Sequence, residues 1–130
     1  MRLLLDTHVL LWAMMNDRKL PASLATTIKS TEHDVAVSAI SVWETTIKVM
    51  RGRIDIDIHE LIKAIGDAGF TELPLRFTQS LNLEVLPLHH RDPFDRMLIA
   101  QSIADGRRLV TADARILKYA GVRGFDPLAA

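Results

Sequence analysis

The sequence lacks several features that mark particular classes of protein. It contains no cysteine, which excludes a disulfide scaffold, a cysteine-ligated zinc site and a thiol nucleophile. Its longest apolar run, residues 9–15, is far shorter than the roughly 20 residues that span a bilayer, so we expect no membrane segment. Its formal net charge is zero, which argues against binding nucleic acid by bulk charge alone. A chain without cysteine suits a reducing compartment, and we expect a cytoplasmic protein.

What the chain does contain is an ample supply of apolar residues, 48% of a total of 130. This length corresponds to one domain, which we place at residues 1–130, and it suffices for a core without disulfides or a structural metal. The 6 glycines and 5 prolines are scattered along the chain. No repeat, low-complexity tract or linker divides it, which again favours a single unit.

Short apolar runs alternate with segments of helical character along the whole chain. The predicted strands are residues 3–5, 35–37, 70–73, 109–110 and 122–125. The predicted helices are residues 7–15, one beginning near Pro21, and residues 40–51, 57–68, 76–81, 92–106 and 114–120. This alternation predicts an α/β fold with a parallel sheet covered by helices on both faces. Ligands of such sheets bind beyond the carboxyl ends of the strands.

Four acidic residues lie close to that edge of the predicted sheet. Asp6 and Asp113 each come directly after a predicted strand. Glu44 lies one turn into the helix that follows the second strand. Asp95 heads the apolar face of a later helix, where a carboxylate is costly unless it is paired. We therefore expect these four carboxylates to gather at one edge.

Three of these acids also have a structural interpretation as helix-capping residues. Asp6 and Asp113 are of the type preferred at N-caps. In the Asp-Pro-Phe-Asp segment at residues 92–95, Asp92 suits the N-cap and Pro93 the first helical position. Asp95 then lies in the first turn, where the helix dipole favours a negative charge. Caps alone need not converge, however, so we favour a functional cluster.

Glu44 has two structural alternatives of its own. With Ser41 it has the spacing of a capping box, if the helix begins late. With Lys48 it has the spacing of an ordinary i, i+4 ion pair.

Converging carboxylates favour a particular chemistry. They repel one another, which raises some of their pKa values and destabilises the empty site. Mg²⁺ and Mn²⁺ relieve this because they prefer carboxylate oxygens. The chain has neither a thiol nucleophile nor a Gly-rich phosphate loop, so we expect metal-assisted hydrolysis of a phosphate ester. The histidines offer no zinc motif, and the adjacent His89 and His90 would not ordinarily point at one ion.

The segments that carry these acids resemble the PIN-domain ribonucleases, in particular the VapC-like toxins of type II toxin–antitoxin pairs. The resemblance runs almost end to end. It rests on Leu-Leu-Asp6-Thr-His, Val-Ser-Ala-Ile-Ser-Val-Trp-Glu44, Gly52-Arg53-Ile54-Asp55, His-Arg-Asp-Pro-Phe-Asp95-Arg-Met-Leu-Ile-Ala-Gln and Leu-Val-Thr-Ala-Asp113. No acid of the quartet is missing.

This resemblance implies a three-layer α/β/α sandwich with a central parallel sheet and an endoribonuclease that depends on Mg²⁺ or Mn²⁺. It assigns Asp6, Glu44, Asp95 and Asp113 as the acidic quartet, with Thr111 lining the site. It also implies a homodimer and inhibition by a small antitoxin protein whose C-terminal segment occupies the cleft.

An RNA substrate requires positive charge near the cleft. Candidate phosphate contacts are Arg91, Arg96, Lys48, Arg51 and Arg53. Removing the four proposed site acids from the 16 leaves 12 against 16 basic residues, so the rest of the chain is mildly basic. With only 5% aromatics, base stacking is limited, which favours a folded RNA.

Three other functions stay open. A PIN-like domain could work as a binding scaffold, although the intact quartet counts against it. The same nuclease chemistry could serve RNA processing. A receiver-like signalling domain also has acids at strand ends, but it needs an acceptor Asp after a central strand and a Lys after a late one. Asp55 and Asp57 lie in a poor strand, and Lys118 lies inside a predicted helix.

Overall fold

The computed structural model describes all 130 residues, which form a five-stranded parallel sheet in the order β3-β2-β1-β4-β5. The strands are β1 (Arg2–Leu5), β2 (Asp34–Ser38), β3 (Thr71–Leu73), β4 (Arg108–Thr111) and β5 (Leu128–Ala129). The first strand is central, and Leu5 pairs with Val37 on one side and Val110 on the other. The carboxyl ends of β1, β2 and β4 therefore lie side by side.

Helices connect the strands. They are α1 (Thr7–Met14), α2 (Ala22–Lys29), α3 (Ala39–Met50), α4 (Ile58–Asp67), α5 (Phe77–Ser80), α6 (Pro93–Asp105) and α7 (Ala114–Leu117). Short 3₁₀ helices follow α5 and α7, at Leu81–Val85 and Lys118–Gly121. None of the helices is long and apolar enough to cross a membrane.

Alternate side chains of each strand enter two separate cores. Leu3 and Leu5 point to the face covered by α1, α2 and α4, whereas Leu4 points to the face covered by α6 and α7. This alternation follows from the period of two in a β-strand. All three leucines are fully buried, which explains why β1 is apolar at every position. The predicted α/β/α sandwich with a central parallel sheet is confirmed.

Local capping signals account for most helix boundaries. Asp57 accepts hydrogen bonds from the backbone N–H groups of His59 and Glu60, so α4 begins where predicted. Helix α6 ends at Gly106, whose φ of 61° is left-handed. Ser38 caps α3 by accepting from the Ile40 N–H. The capping-box alternative for Glu44 is therefore wrong, because α3 begins before Ser41.

The strand predicted at residues 122–125 is wrong. The Phe125 N–H donates to the Val122 carbonyl at 3.0 Å, and Gly124 has a φ of 86°, so this segment is a turn. It brings the buried Phe125 into the core beneath α6, and a Cβ on Gly124 would lie 3.2 Å from Ile103 Cγ2. The last strand forms after the turn, at Leu128–Ala129.

Candidate active site

Asp6 stands at the carboxyl end of the central strand. Its N–H donates to the Val110 carbonyl of β4 at 3.0 Å, and its Oδ1 accepts from the Val9 N–H at 2.8 Å. The predicted capping role is therefore confirmed. Asp6 is also buried, with only 3% of the residue exposed. Burial raises its pKa, against the lowering effect of hydrogen bonds from Thr111 and Val9.

Glu44 reaches the same edge from the second turn of α3. It is 7% exposed. Its Oε1 accepts a 2.7 Å hydrogen bond from the Thr7 hydroxyl, and its Oε2 lies 3.1 Å from Lys48 Nζ. The predicted ion pair with Lys48 is confirmed. The contact with Thr7 joins the start of α1 to α3 and was not predicted.

Asp113 follows β4 and caps α7. Its Oδ1 accepts from the Arg115 N–H at 2.8 Å, and its Oδ2 lies 3.0 Å from Arg115 Nη2. Its own N–H donates to Thr111 Oγ1 at 3.0 Å, so the buried threonine orients this turn. Burial alone would raise the pKa of Asp113, but the hydrogen bonds from Arg115 outweigh it and lower that pKa below its ordinary value.

Asp95 lies in the first turn of α6, where Asp92 accepts from the Phe94 and Asp95 N–H groups as the predicted N-cap. The Asp95 side chain is 15% exposed and its Oδ2 lies 2.7 Å from His90 Nε2. Burial raises the pKa of Asp95 to about 6, helped by the nearby carboxylates of Asp92 and Glu44 and opposed by His90. The carboxylate thus has the partner that its inward position requires.

Two pairs of these acids, Asp6 with Asp113 and Glu44 with Asp95, lie close enough to affect the pKa within each pair. Asp113 contributes to the raised pKa of Asp6, and Glu44 contributes to that of Asp95. Donor atoms of His90, Asp95 and Asp113 all lie within 4.8 Å of one another. The carboxylate oxygens of this group are the ligands that a hard divalent cation such as Mg²⁺ or Mn²⁺ prefers.

A cleft of about 350 Å³ opens from this edge to solvent. Asp6 and Asp113 form part of its floor, and His8, Trp12 and Arg115 also line it. His8 and Trp12 place their ring centroids 6.3 Å apart at one wall. Asp6 and Asp113 are thus reached from solvent through this cleft.

The predicted phosphate contacts differ in their surroundings. Arg51, Arg53 and Arg91 are exposed. Lys48 is paired with Glu44, and the Arg96 guanidinium donates to three backbone carbonyls and the Tyr119 hydroxyl. Contact with RNA stays a prediction for all of them.

Three polar side chains of the site were missed from sequence: Thr7, His90 and Arg115. Thr7 adjoins Asp6, so its proximity to the site was implicit, but its partner Glu44 is 37 residues away. Arg115 lies two residues after Asp113, where a side chain can return to the cap. For His90, the signal was the carboxylate of Asp95 in the first turn of α6. A buried carboxylate needs a partner, and His90 lies just before that helix.

A family model of the PIN domain matches residues 3–122. The chain belongs to the PIN domain family. Membership of this family supports a nuclease, and all four acids lie inside the matched range. A search of curated protein sequences gives no significant match.

Solved structures similar to this PIN domain have sequences that are only distantly related. VapBC2 from Rickettsia felis, bound to a DNA fragment from its promoter, has a TM-score of 0.72 at 12% identity, covering 99% of this chain and 98% of that one. VapBC-5 from Mycobacterium tuberculosis, a member of the VapBC family of toxin–antitoxin systems, has a TM-score of 0.68 at 17% identity with the same coverage. VapBC-1 from nontypeable Haemophilus influenzae has a TM-score of 0.67 at 16% identity, again with that coverage. At these identities the likeness establishes the fold.

Proposed function

We propose that this PIN domain is a metal-dependent endoribonuclease, the toxin of a toxin–antitoxin pair that arrests translation or growth. The observation that carries the proposal is the convergence of Asp6, Glu44, Asp95 and Asp113 at one sheet edge of a PIN fold. The similar VapBC structures come from toxin–antitoxin systems, which supports the choice of a toxin over an RNA-processing enzyme.

The four carboxylates would hold Mg²⁺ or Mn²⁺. The chemistry that such an ion supplies, when bound, is to make a water molecule more acidic and to offset charge on a phosphodiester. The Thr7 hydroxyl restricts the orientation of Glu44 through its hydrogen bond to Oε1, and the Val9 N–H restricts that of Asp6 through its hydrogen bond to Oδ1. The burial of these carboxylates excludes much of the competing water and strengthens their interaction with a cation.

Lys48 and Arg115 have a second role in this proposal. Each now neutralises one site acid, Lys48 at Glu44 and Arg115 at Asp113. Once a metal ion neutralises the charge of those acids, the side chains of Lys48 and Arg115 become available to bind phosphates of the RNA beside the cleft. Arg91, exposed before α6, would extend the basic surface.

The proposed partners are an RNA substrate, a small cognate antitoxin and a second copy of the chain. The antitoxin would insert its C-terminal segment into the acidic cleft and so block RNA. The homodimer is implied by the resemblance to VapC-like toxins, and sedimentation of the purified protein measures its oligomeric state directly.

The deciding experiment compares wild type with Asp6→Asn and Asp95→Asn on RNA and on DNA of the same sequence, with Mg²⁺, Mn²⁺ or EDTA. We expect RNA cleavage that requires the metal and is abolished in both variants, each still folded by circular dichroism. Asp67→Asn, at an exposed acid at the end of α4 that forms no hydrogen bond or ion pair with the quartet, is the matched control and should cleave as wild type. Full activity of Asp6→Asn or Asp95→Asn with Mg²⁺ overturns the proposal.

A second experiment separates the toxin from an RNA-processing enzyme. Brief expression in growing cells, followed by mapping of new RNA ends, should show growth arrest and cleavage at a few sites. Arrest should disappear in Asp6→Asn. Cleavage without arrest favours RNA processing. A stable aspartyl phosphate without any cleavage would instead favour the receiver-like alternative.

A further inference from the structure

Tyr119 and Arg96 bind three backbone carbonyls and one N–H of the segment that precedes α6, residues 86–90. At its end, the His90 N–H donates to the Tyr119 hydroxyl at 2.9 Å, and that hydroxyl donates to the His90 carbonyl at 3.3 Å. Tyr119 is fully buried in the core beneath α6. Both backbone groups of His90 are therefore tied to one rigid side chain.

Arg96 fastens the same segment from within α6. Its Nη1 lies 3.0 Å from the Pro87 carbonyl, 3.4 Å from the His90 carbonyl and 3.1 Å from the Tyr119 hydroxyl. Its Nη2 lies 3.3 Å from the Leu86 carbonyl. The guanidinium is planar and has fixed donor directions, so it holds these acceptors in one arrangement.

The consequence is a fixed position for the His90 imidazole. His90 is buried, with 6% of the residue exposed, and its Nε2 lies 2.7 Å from Asp95 Oδ2. The adjacent His89 is exposed and packs its ring against Tyr119 instead, with centroids 5.1 Å apart. Of the two neighbouring histidines, only His90 is directed at the acidic cluster.

The pairing leaves one oxygen of Asp95 available. Oδ2 accepts from His90, whereas Oδ1 has no hydrogen-bond partner within the chain. An imidazole that donates to a carboxylate restrains rotation of that carboxylate and sets the direction of its second oxygen. The nearby charges of Asp92 and Glu44 disfavour the ionised form of Asp95, so the ionised carboxylate gains from a partner that donates to it.

We infer that His90 is a positioning residue: it fixes Asp95 through Oδ2, so that Oδ1 faces the cation of the proposed site. The inference rests on the proposed function. Arg96 and Tyr119 serve it indirectly, since they fix the backbone of His90. In this arrangement His90 Nε2 is used by Asp95 and does not coordinate the cation.

The test measures Mn²⁺ binding by calorimetry and by electron paramagnetic resonance, for wild type and four variants. In His90→Ala the affinity should fall by roughly tenfold or more, the range found for such outer partners. His90→Gln should restore most of it, since its amide nitrogen reaches about as far as imidazole Nε2. His90→Asn, whose amide nitrogen falls short, should not. His89→Ala is the control and should bind as wild type.

Each outcome is decisive. Unchanged Mn²⁺ affinity in His90→Ala overturns the inference, as does equal rescue by Gln and Asn. A nitrogen coupling to Mn²⁺ in wild type that is lost in His90→Ala also overturns it, because it makes His90 a ligand. If His90→Ala fails to fold, the comparison of Gln with Asn decides. A wild-type protein that binds no Mn²⁺ overturns the proposed function, whereas binding that is indifferent to His90 overturns this inference alone.

Discussion

The hydroxyl of Thr7 donates a 2.7 Å hydrogen bond to Oε1 of Glu44, across 37 residues of sequence. It joins the first residue of α1 to the second turn of α3, directly beside Asp6. Both residues are buried, Thr7 with 2% and Glu44 with 7% of its surface exposed. A carboxylate in this position depends on its few partners, which are Thr7 and Lys48.

Replacing Thr7 by Val should therefore destabilise the protein. The methyl group fills the same space, but a buried carboxylate oxygen loses its donor, at a cost of about 1–3 kcal/mol in the free energy of unfolding. Urea denaturation measures this. Thr7→Ser keeps the hydroxyl and is the matched control. Equal stability of Thr7→Val and wild type would show that the hydrogen bond contributes nothing.

The raised pKa of Asp95, about 6, predicts how stability depends on pH in the metal-free protein. The folded protein holds this proton more tightly than the unfolded chain, whose carboxyl has the ordinary value of 3.8. The free energy of unfolding should therefore fall as pH rises from 3.8 to about 6. Asp113, whose pKa is lowered, contributes stability that is lost only at pH values below this window.

Asp95→Asn isolates this effect because an amide does not titrate. In EDTA, urea denaturation at several pH values should give a shallower fall for Asp95→Asn than for wild type. Asp67→Asn should follow the wild-type curve. Parallel curves for wild type and Asp95→Asn would contradict the raised pKa.

Mg²⁺ or Mn²⁺ should raise the melting temperature. An ion that binds only the folded state stabilises it by about 2.7 kcal/mol at a hundredfold excess over its Kd. Differential scanning fluorimetry with increasing MgCl₂ measures this shift, and NaCl of equal ionic strength controls for screening. The shift should disappear in Asp95→Asn. A melting temperature that does not change in millimolar Mg²⁺ would contradict the proposed cation site.

Tyr119→Phe should loosen the 86–90 segment. The variant retains the buried ring but removes the hydroxyl that binds the His90 N–H and Arg96 Nη1. An unpaired buried donor costs about 1–3 kcal/mol. Amide hydrogen exchange should rise in this segment before it rises in the strands, while His89→Ala, which removes only the ring contact, should change exchange little. Unaltered protection of the His90 amide from exchange would show that the Tyr119 hydroxyl does not hold this segment.

Much of this protein follows from local sequence signals. Asp57 and Asp92 cap the helices predicted from them, because a capping side chain bonds to N–H groups two or three residues ahead. Apolar runs such as Leu3-Leu4-Leu5 predict strands buried on both faces. The topology rule for parallel sheets then brings the residues that follow β1, β2 and β4 to one edge, which is why Asp6, Glu44 and Asp113 are expected there.

What sequence could not provide depends on the path of loops and on long-range packing. Residues 122–125 have the apolar character of a strand, yet Gly124 turns the chain there and buries Phe125 beneath α6. The pairing of Thr7 with Glu44 needs two helices at a particular distance. The pairing of His90 with Asp95 needs a segment tied down by Tyr119, 29 residues away in sequence.

The sequence by itself determined the parallel sheet, four of its five strands, most of its helices and which acids stand at strand and helix ends, since these rest on side-chain periodicity and capping. Only the tertiary structure decided which further partners hold three of these acids: Glu44 is held by Thr7, Asp113 by Arg115 and Asp95 by His90. The physical reason is that a hydrogen bond between side chains requires both groups within about 3 Å and correctly oriented. That condition is set by packing across the whole domain.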